Sequence, residues 1–332
     1  MTTILYPERM YPDDSEERLI FPEGARIVMR DTVLLSELSA EDCAEVEGLM
    51  IFRQFVRAED FARFPRLRAV VRMGVGYDRI DRVAAEARGV TVCNVPDYGT
   101  TEVADHAIAL SLALRRGLLH HHDRQRDGAP WVATIEPVIR RLSVQTFGIV
   151  GLGRIGTAVA LRAKALGFRV VFFDPYRPNG AELAIGVERA GSLAELLRRA
   201  DVLSLHTPQT PETVGMIGAA ELALLPKNAV VVSTARGTAI DVAALEAALR
   251  SGHLAGVGLD VLPVEPPVEP LPGLLRAYRA REDWTIGRLI ITPHSAYLTA
   301  EAHRDIRIKS AETMRAALFS NRPQNVILPG DY

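Results

Sequence analysis

The sequence predicts an α/β protein of two domains, each built on a parallel sheet. Its 332 residues exceed what one ordinary core takes up, at roughly 100–200 residues per domain. Short apolar runs alternate with longer segments of helical period, the pattern of strand–helix units that pair in parallel. The alternation falls into two series with a long apolar stretch between them.

The first series holds candidate strands at Gly48–Phe52, Ala69–Met73 and Val90–Asn94, divided by helical stretches at Glu59–Phe64 and Ile80–Arg88. Thr101–His122 follows, and its apolar content predicts one buried helix of about 20 residues joining the two domains. The second series runs through Thr146–Val150, Val170–Phe173, Val202–Leu205, Ala229–Ser233, Gly256–Leu259 and Leu289–Ile291. A last helical segment, Thr299–Asn321, is rich enough in charge to return over a surface. It is expected to rejoin the first domain, giving residues 1–100 plus 296–332 for one domain and 101–295 for the other. The prolines of Pro263–Gly273 predict an extended loop.

A net charge of −2 gives no reason to expect a nucleic-acid or membrane partner. Only Cys43 and Cys93 are present, with no pairing pattern and no zinc-ligand spacing, which suits a reducing compartment. The N-terminus has neither a basic start nor a sustained apolar run, and no segment reaches the roughly 18 apolar residues of a membrane span. The expected location is the cytoplasm. Consecutive histidines at His120–His122 point about 100° apart on a helix and cannot share one metal site, so no metal is expected.

Phe147–Val150 runs straight into Gly151-Leu152-Gly153-Arg154-Ile155-Gly156, and helical composition follows. A strand, a glycine-rich turn and a helix in that order form a Rossmann-type dinucleotide site. The first glycine allows the turn, the second admits the pyrophosphate, the third lets helix meet strand, and the phosphates sit at the helix N-terminus. Glycine turns are common, so the motif alone is weak. Asp174, about 20 residues on, strengthens it, because a carboxylate there accepts from the adenosine ribose hydroxyls and repels a 2′-phosphate. NAD is therefore the expected cofactor, with Arg177 close enough to soften the preference over NADP.

Three polar segments follow at the expected C-terminal ends of strands, where open α/β sheets bind ligands: Ser233–Gly237, Asp260 with Glu265-Pro266, and Thr292–Ala296. Each of Arg236, Glu265 and His294 alone reads as readily as a surface charge or a packed histidine. Together, downstream of a dinucleotide motif, they match the needs of 2-oxo acid reduction. A planar guanidinium suits the carboxylate and developing oxyanion, an imidazole exchanges a proton near neutrality, and a carboxylate on the other ring nitrogen fixes the tautomer. Arg236 binds, His294 transfers the proton and Glu265 orients it.

The segments GLGRIG, TARG, LDV with the following EP, and TPHSA, in this order and spacing, resemble the D-isomer-specific 2-hydroxyacid dehydrogenase family. VRMGVGYDRID, TARGT, VEPPVEP and RLIITPHSAY look most like its branch of C-terminal binding protein corepressors and their bacterial relatives. The resemblance spans nearly the whole chain. It implies two Rossmann-like or flavodoxin-like domains with the active-site cleft between them, and a homodimer formed through the nucleotide-binding domains. Thr207-Pro208 and Thr234-Ala235 match segments lining the cofactor, and Asp260 matches an acid near the nicotinamide carboxamide. Gly74-Val75-Gly76 matches a loop whose N–H groups hold the substrate carboxylate, Arg72 a side chain reaching it, and Tyr297 a tryptophan of the corepressors. The expected substrate is a small anionic 2-oxo/2-hydroxy acid, with glyoxylate or hydroxypyruvate as first trials. The alternative is a corepressor-like dimer that senses NAD(H) with little turnover. Arg53 is a candidate second cation or an exposed strand-end arginine. The sequence departs from the family at Ser233, where an asparagine is common, and in the long stretch Leu271–Gly287, which is expected to cover the cleft, serve a dimer contact or form a surface insertion.

Overall fold

A computed structural model describes residues 1–132, 139–320 and 322–331. The chain divides into two compact units, Met1–Gly99 with Leu298–Tyr332, and Thr100–Tyr297.

The first unit carries, among the described residues, five parallel strands: β1 (Thr3–Tyr6), β2 (Arg26–Met29), β3 (Val46–Ile51), β4 (Ala69–Arg72) and β5 (Thr91–Cys93). Their order is β2-β1-β3-β4-β5, the flavodoxin-like arrangement. One face is packed by Leu5, Leu49, Ile51, Phe61, Phe64 and Val70, all essentially inaccessible to solvent. The helix Ala300–Phe319, capped by Thr299, whose hydroxyl accepts from Ala302 N at 3.0 Å, lies against β3, β4 and the helix Ser15–Ile20. Asn321, the expected end of that segment, lies outside the described residues.

The second unit holds seven parallel strands among the described residues: β6 (Thr146–Val150), β7 (Arg169–Phe173), β8 (Glu188–Arg189), β9 (Val202–Leu205), β10 (Ala229–Ser233), β11 (Leu254–Leu259) and β12 (Leu289–Ile291). The order β12-β11-β10-β9-β6-β7-β8 reverses direction between β6 and β9. Ligands of doubly wound sheets bind at such a switch point, and the glycine-rich turn leaves β6 there. The strands β6, β9 and β10 are buried along their whole length, which explains why they read as continuous apolar runs.

Two expectations are corrected. Thr101–His122 is two helices, Thr100–Arg115 and Leu118–Arg126, because Gly117 takes a left-handed conformation (φ 61°) that ends the first. The first is partly buried against β10 and β11, whereas no residue of the second is buried. Leu271–Gly287 is no simple surface insertion: it folds into the helix Gly273–Arg279 and a 3₁₀ turn at Asp283–Thr285, and Leu274, Leu275 and Ala277 are buried. Trp284 packs on the core of this unit, with its indole N–H on Glu282 and the Arg250 guanidinium 4.4 Å over its ring.

Candidate active site

The dinucleotide loop is built at the end of β6. Gly151 is left-handed (φ 87°), Gly153 caps the helix Arg154–Ala165 without a side-chain bond, and a Cβ at Gly156 would run into the Gly151 carbonyl. Arg154 and Ile155 open that helix, whose first N–H groups are available to an anion. Asp174, just beyond β7, accepts from Leu152 N at 2.8 Å and from Tyr176 N at 2.9 Å, which fixes the carboxylate beside the loop. Arg177 stands 3.8 Å from the same carboxylate. Thr207 and Pro208 follow β9, and Thr234 and Ala235 follow β10. The buried hydroxyl of Thr234 has no protein partner among the described residues. A carboxylate at the ribose position, an uncapped helix N-terminus and an orphaned hydroxyl at the strand ends fit a dinucleotide.

Arg236, Glu265 and His294 follow β10, β11 and β12, three neighbouring strands, and so come together at one edge of one sheet. Gly237 enables this: a Cβ there would run into the backbone of Leu262, so the two loops touch. Glu265 accepts from Leu262 N at 2.7 Å with one oxygen and meets His294 Nδ1 at 2.5 Å with the other. Burial pushes the Glu265 carboxyl up, but the His294 hydrogen bond and charge, the Leu262 N–H and the Arg236 charge outweigh it, and the group lies below its ordinary value. A carboxylate on Nδ1 makes that nitrogen the donor and leaves Nε2 to give or take a proton. The Arg236 guanidinium donates to the Ala235 carbonyl at 2.9 Å. The Tyr297 ring stands edge-on to His294, with centroids 6.4 Å apart.

Asp260 is buried and engaged. Its carboxylate accepts from Ser295 N (2.9 Å), Ala296 N (2.9 Å) and the Thr292 hydroxyl (2.6 Å), and its carbonyl accepts from His294 N (2.8 Å).

In the first unit, Arg72 ends β4, donates to the Met73 carbonyl at 2.8 Å and lies 5.4 Å over the Phe52 ring. Gly74, Val75 and Gly76 follow it, and the Asn94 amide holds the Val75 carbonyl at 2.7 Å. Arg53 is ion-paired with Glu8. No group of three His, Cys, Asp or Glu side chains among the described residues could hold a metal ion, and no described helix is long and apolar enough to cross a membrane.

Comparison with known proteins is in keeping with this geometry. The family described as D-isomer specific 2-hydroxyacid dehydrogenase, NAD binding domain, matches residues 108–296, more than half of the chain. A glyoxylate reductase of Korarchaeum cryptofilum is 36% identical over 290 residues, 86% of this chain and 83% of that one. The chain belongs to the D-isomer-specific 2-hydroxyacid dehydrogenase family. A glycerate dehydrogenase of Methylorubrum extorquens is 33% identical over 285 residues, 85% of each chain. Among solved structures, D-lactate dehydrogenase from Aquifex aeolicus complexed with NAD and lactic acid superposes with a TM-score of 0.82 at 27% identity, covering 100% of both chains. The protein is thus an NAD-binding oxidoreductase acting on the CH–OH group of its donors.

Three residues of this dehydrogenase, Gly237, His106 and Thr292, gain a role of their own only from the structure. Gly237 was visible as the glycine after Arg236. His106 and Thr292 left only the weak signal of a polar residue in an apolar helix and a hydroxyl before Pro293. His206, directly after β9, is a further polar group. Its Nε2 meets the Ser204 hydroxyl at 2.8 Å, and burial pushes its imidazole down to about 3 from 6.5. A histidine depressed in this way is neutral when folded, so the unfolded chain binds an extra proton as pH falls below 6.5. Its contribution to stability is full above 6.5 and declines towards pH 3 by up to about 1.4 kcal/mol per pH unit. Urea unfolding at a series of pH values should show this decline, and His206→Asn should flatten it. An unchanged slope in the variant would assign the acid sensitivity elsewhere.

Proposed function

We propose that this dehydrogenase interconverts a small anionic 2-oxo acid and its D-2-hydroxy acid, with NAD(H) as the preferred cofactor. The observation that carries the reading is the Glu265–His294 pair with Arg236 beside it at three neighbouring strand ends. NAD(H), when bound, would supply or accept the hydride exchanged with C2 of the acid. Arg236 holds the carboxylate and the carbonyl oxygen, and stabilises the charge that develops there. His294 Nε2 gives its proton to that oxygen in reduction and takes it back in oxidation, while Glu265 supports the imidazolium. Asp174, Thr234 and the first turn of the helix Arg154–Ala165 hold the cofactor, joined by Gly151, Gly153, Gly156, Thr207, Pro208, Ala235 and Asp260.

Arg72 and the loop Gly74–Gly76 are assigned to the substrate carboxylate, and Tyr297 to the wall of the substrate site. Glyoxylate and hydroxypyruvate are the first substrates to try, and names of the two relatives support compounds of that size. We favour turnover over an NAD(H)-sensing role like that of the corepressor branch, because the carboxylate on His294 serves proton transfer and has no use in a scaffold. Exposed Leu118, Trp131, Val132 and Val144 on the nucleotide-binding unit support a homodimer through that unit. Two buried free thiols, Cys43 and Cys93, support a cytoplasmic location.

The test is steady-state NADH oxidation with a panel of 2-oxo acids. Turnover of glyoxylate or hydroxypyruvate, with KM raised in Arg72→Ala, is expected. No turnover of any acid despite NADH binding would favour the sensing role, and equal turnover by Arg72→Ala across the panel would remove Arg72 from the site.

A further inference from the structure

His106 lies on the apolar helix Thr100–Arg115, its side chain 24% exposed, and points at the polar loop that carries His294. Its Nε2 stands 3.0 Å from the Thr292 hydroxyl and 3.8 Å from Asp260 Oδ1. The Thr292 hydroxyl has one proton, and it goes to Asp260 Oδ1 at 2.6 Å. A carboxylate can only accept, so the Thr292 oxygen is left as an acceptor towards His106. The count of protons therefore fixes the tautomer: His106 carries hydrogen on Nε2.

The far end of this relay is the catalytic loop. Asp260 grips Ser295 N and Ala296 N through its carboxylate and His294 N through its carbonyl. The grip opposes strain, since His294 has a left-handed backbone (φ 52°), a conformation that costs a residue other than glycine free energy and persists only when the surroundings impose it. Turning the Asp260 carboxylate would loosen the two residues after His294 at once.

We propose that His106 is a positioning residue: through Thr292 it sets the Asp260 carboxylate, and through Asp260 the backbone that aims His294. The inference rests on the reading of His294 as the proton-transfer group.

Three variants and one spectroscopic measurement test it. His106→Leu removes the donor. Kcat with glyoxylate should fall about tenfold or more while KM for glyoxylate changes by no more than about twofold, because the geometry of the loop that aims His294 is what is lost. His106→Gln, whose amide N–H reaches the same hydroxyl, should restore most of kcat. Thr292→Val should behave like His106→Leu. Nitrogen-15 spectra of the wild-type protein should show His106 protonated on Nε2, and the His294 signals should move in His106→Leu. Wild-type kcat in His106→Leu, alongside an inactive His294→Ala, would overturn the positioning role and leave the proton-transfer reading intact. Full activity in His294→Ala would overturn that reading instead. Should His106→Leu fail to fold, the Gln variant and the tautomer still decide, and a bare Nε2 on His106 overturns the proposal.

Discussion

His294→Ala is expected to lower kcat for 2-oxo acid reduction by about a thousandfold, the middle of the range for loss of a positioned acid–base group. The reason is geometric. Glu265 holds the imidazole through Nδ1, and Nε2 is the atom left to exchange a proton. NADH binding should change little, since the His294 side chain is not among the groups assigned to the cofactor, and the glycine loop and Asp174 follow β6 and β7. Glu265→Gln should also lower kcat, by about a hundredfold to ten-thousandfold, because the imidazole remains but loses the partner that fixes its tautomer and supports its charge. Glu265 lies below the ordinary carboxylate value, so its contribution is present above that value and is lost only as pH falls through the lower, folded one. The Glu265 carboxylate should therefore stay ionised at and above its ordinary value, and an acid-side loss of activity there belongs to other groups. Stopped-flow or steady-state NADH oxidation with fluorescence titration of NADH separates the two effects. A His294→Ala enzyme that loses affinity for NADH while keeping kcat would contradict the assignment.

Arg307→Ala should destabilise the first unit by about 3–5 kcal/mol, the usual consequence of leaving a buried charge without its partner. Arg307 sits in the helix Ala300–Phe319, 11% exposed, and its guanidinium meets both oxygens of Glu17 at 2.6–3.0 Å; Glu17 itself is 0% exposed. The same group donates to the Asp13 carbonyl at 2.7 Å and stacks 4.7 Å over the Tyr11 ring. Removing the cation leaves the buried Glu17 carboxylate without its partner and cuts the link between the last helix and the N-terminal segment. Urea midpoints read the loss, with the slope unchanged if compactness is preserved. Replacing both partners, Glu17→Leu with Arg307→Met, should recover much of it, because the unpaired charge goes with the pair. A single variant as stable as the wild type would show that the contact contributes nothing net.

Much of the fold is legible in the sequence because local rules write it. Strands β6, β9, β10 and β12 lie where the apolar runs fall, and the others of both series within two residues at their ends, since strands buried on both faces of a parallel sheet must be apolar throughout. Strands β1, β2 and β8 went unread. β1 is four residues at the chain start, β2 is a short edge strand whose apolar Ile27-Val28-Met29 is only partly buried, and β8 is the two-residue edge strand Glu188-Arg189 with no apolar side chain. The helix break at Gly117 is a backbone preference that composition concealed.

The site divides in the same way. The chemistry of Arg236, Glu265, His294 and the glycine turn was determined by the sequence, because residue type and position after a strand are local properties. Which groups touch was decided only by tertiary structure. His106 and Thr292 are 186 residues apart, and the relay between them exists because the helix Thr100–Arg115 packs beside the strand ends that carry Asp260 and His294. Hydrogen bonds of that kind follow from which buried polar groups lack water and must find each other, a condition set by the whole fold and by no stretch of the chain alone.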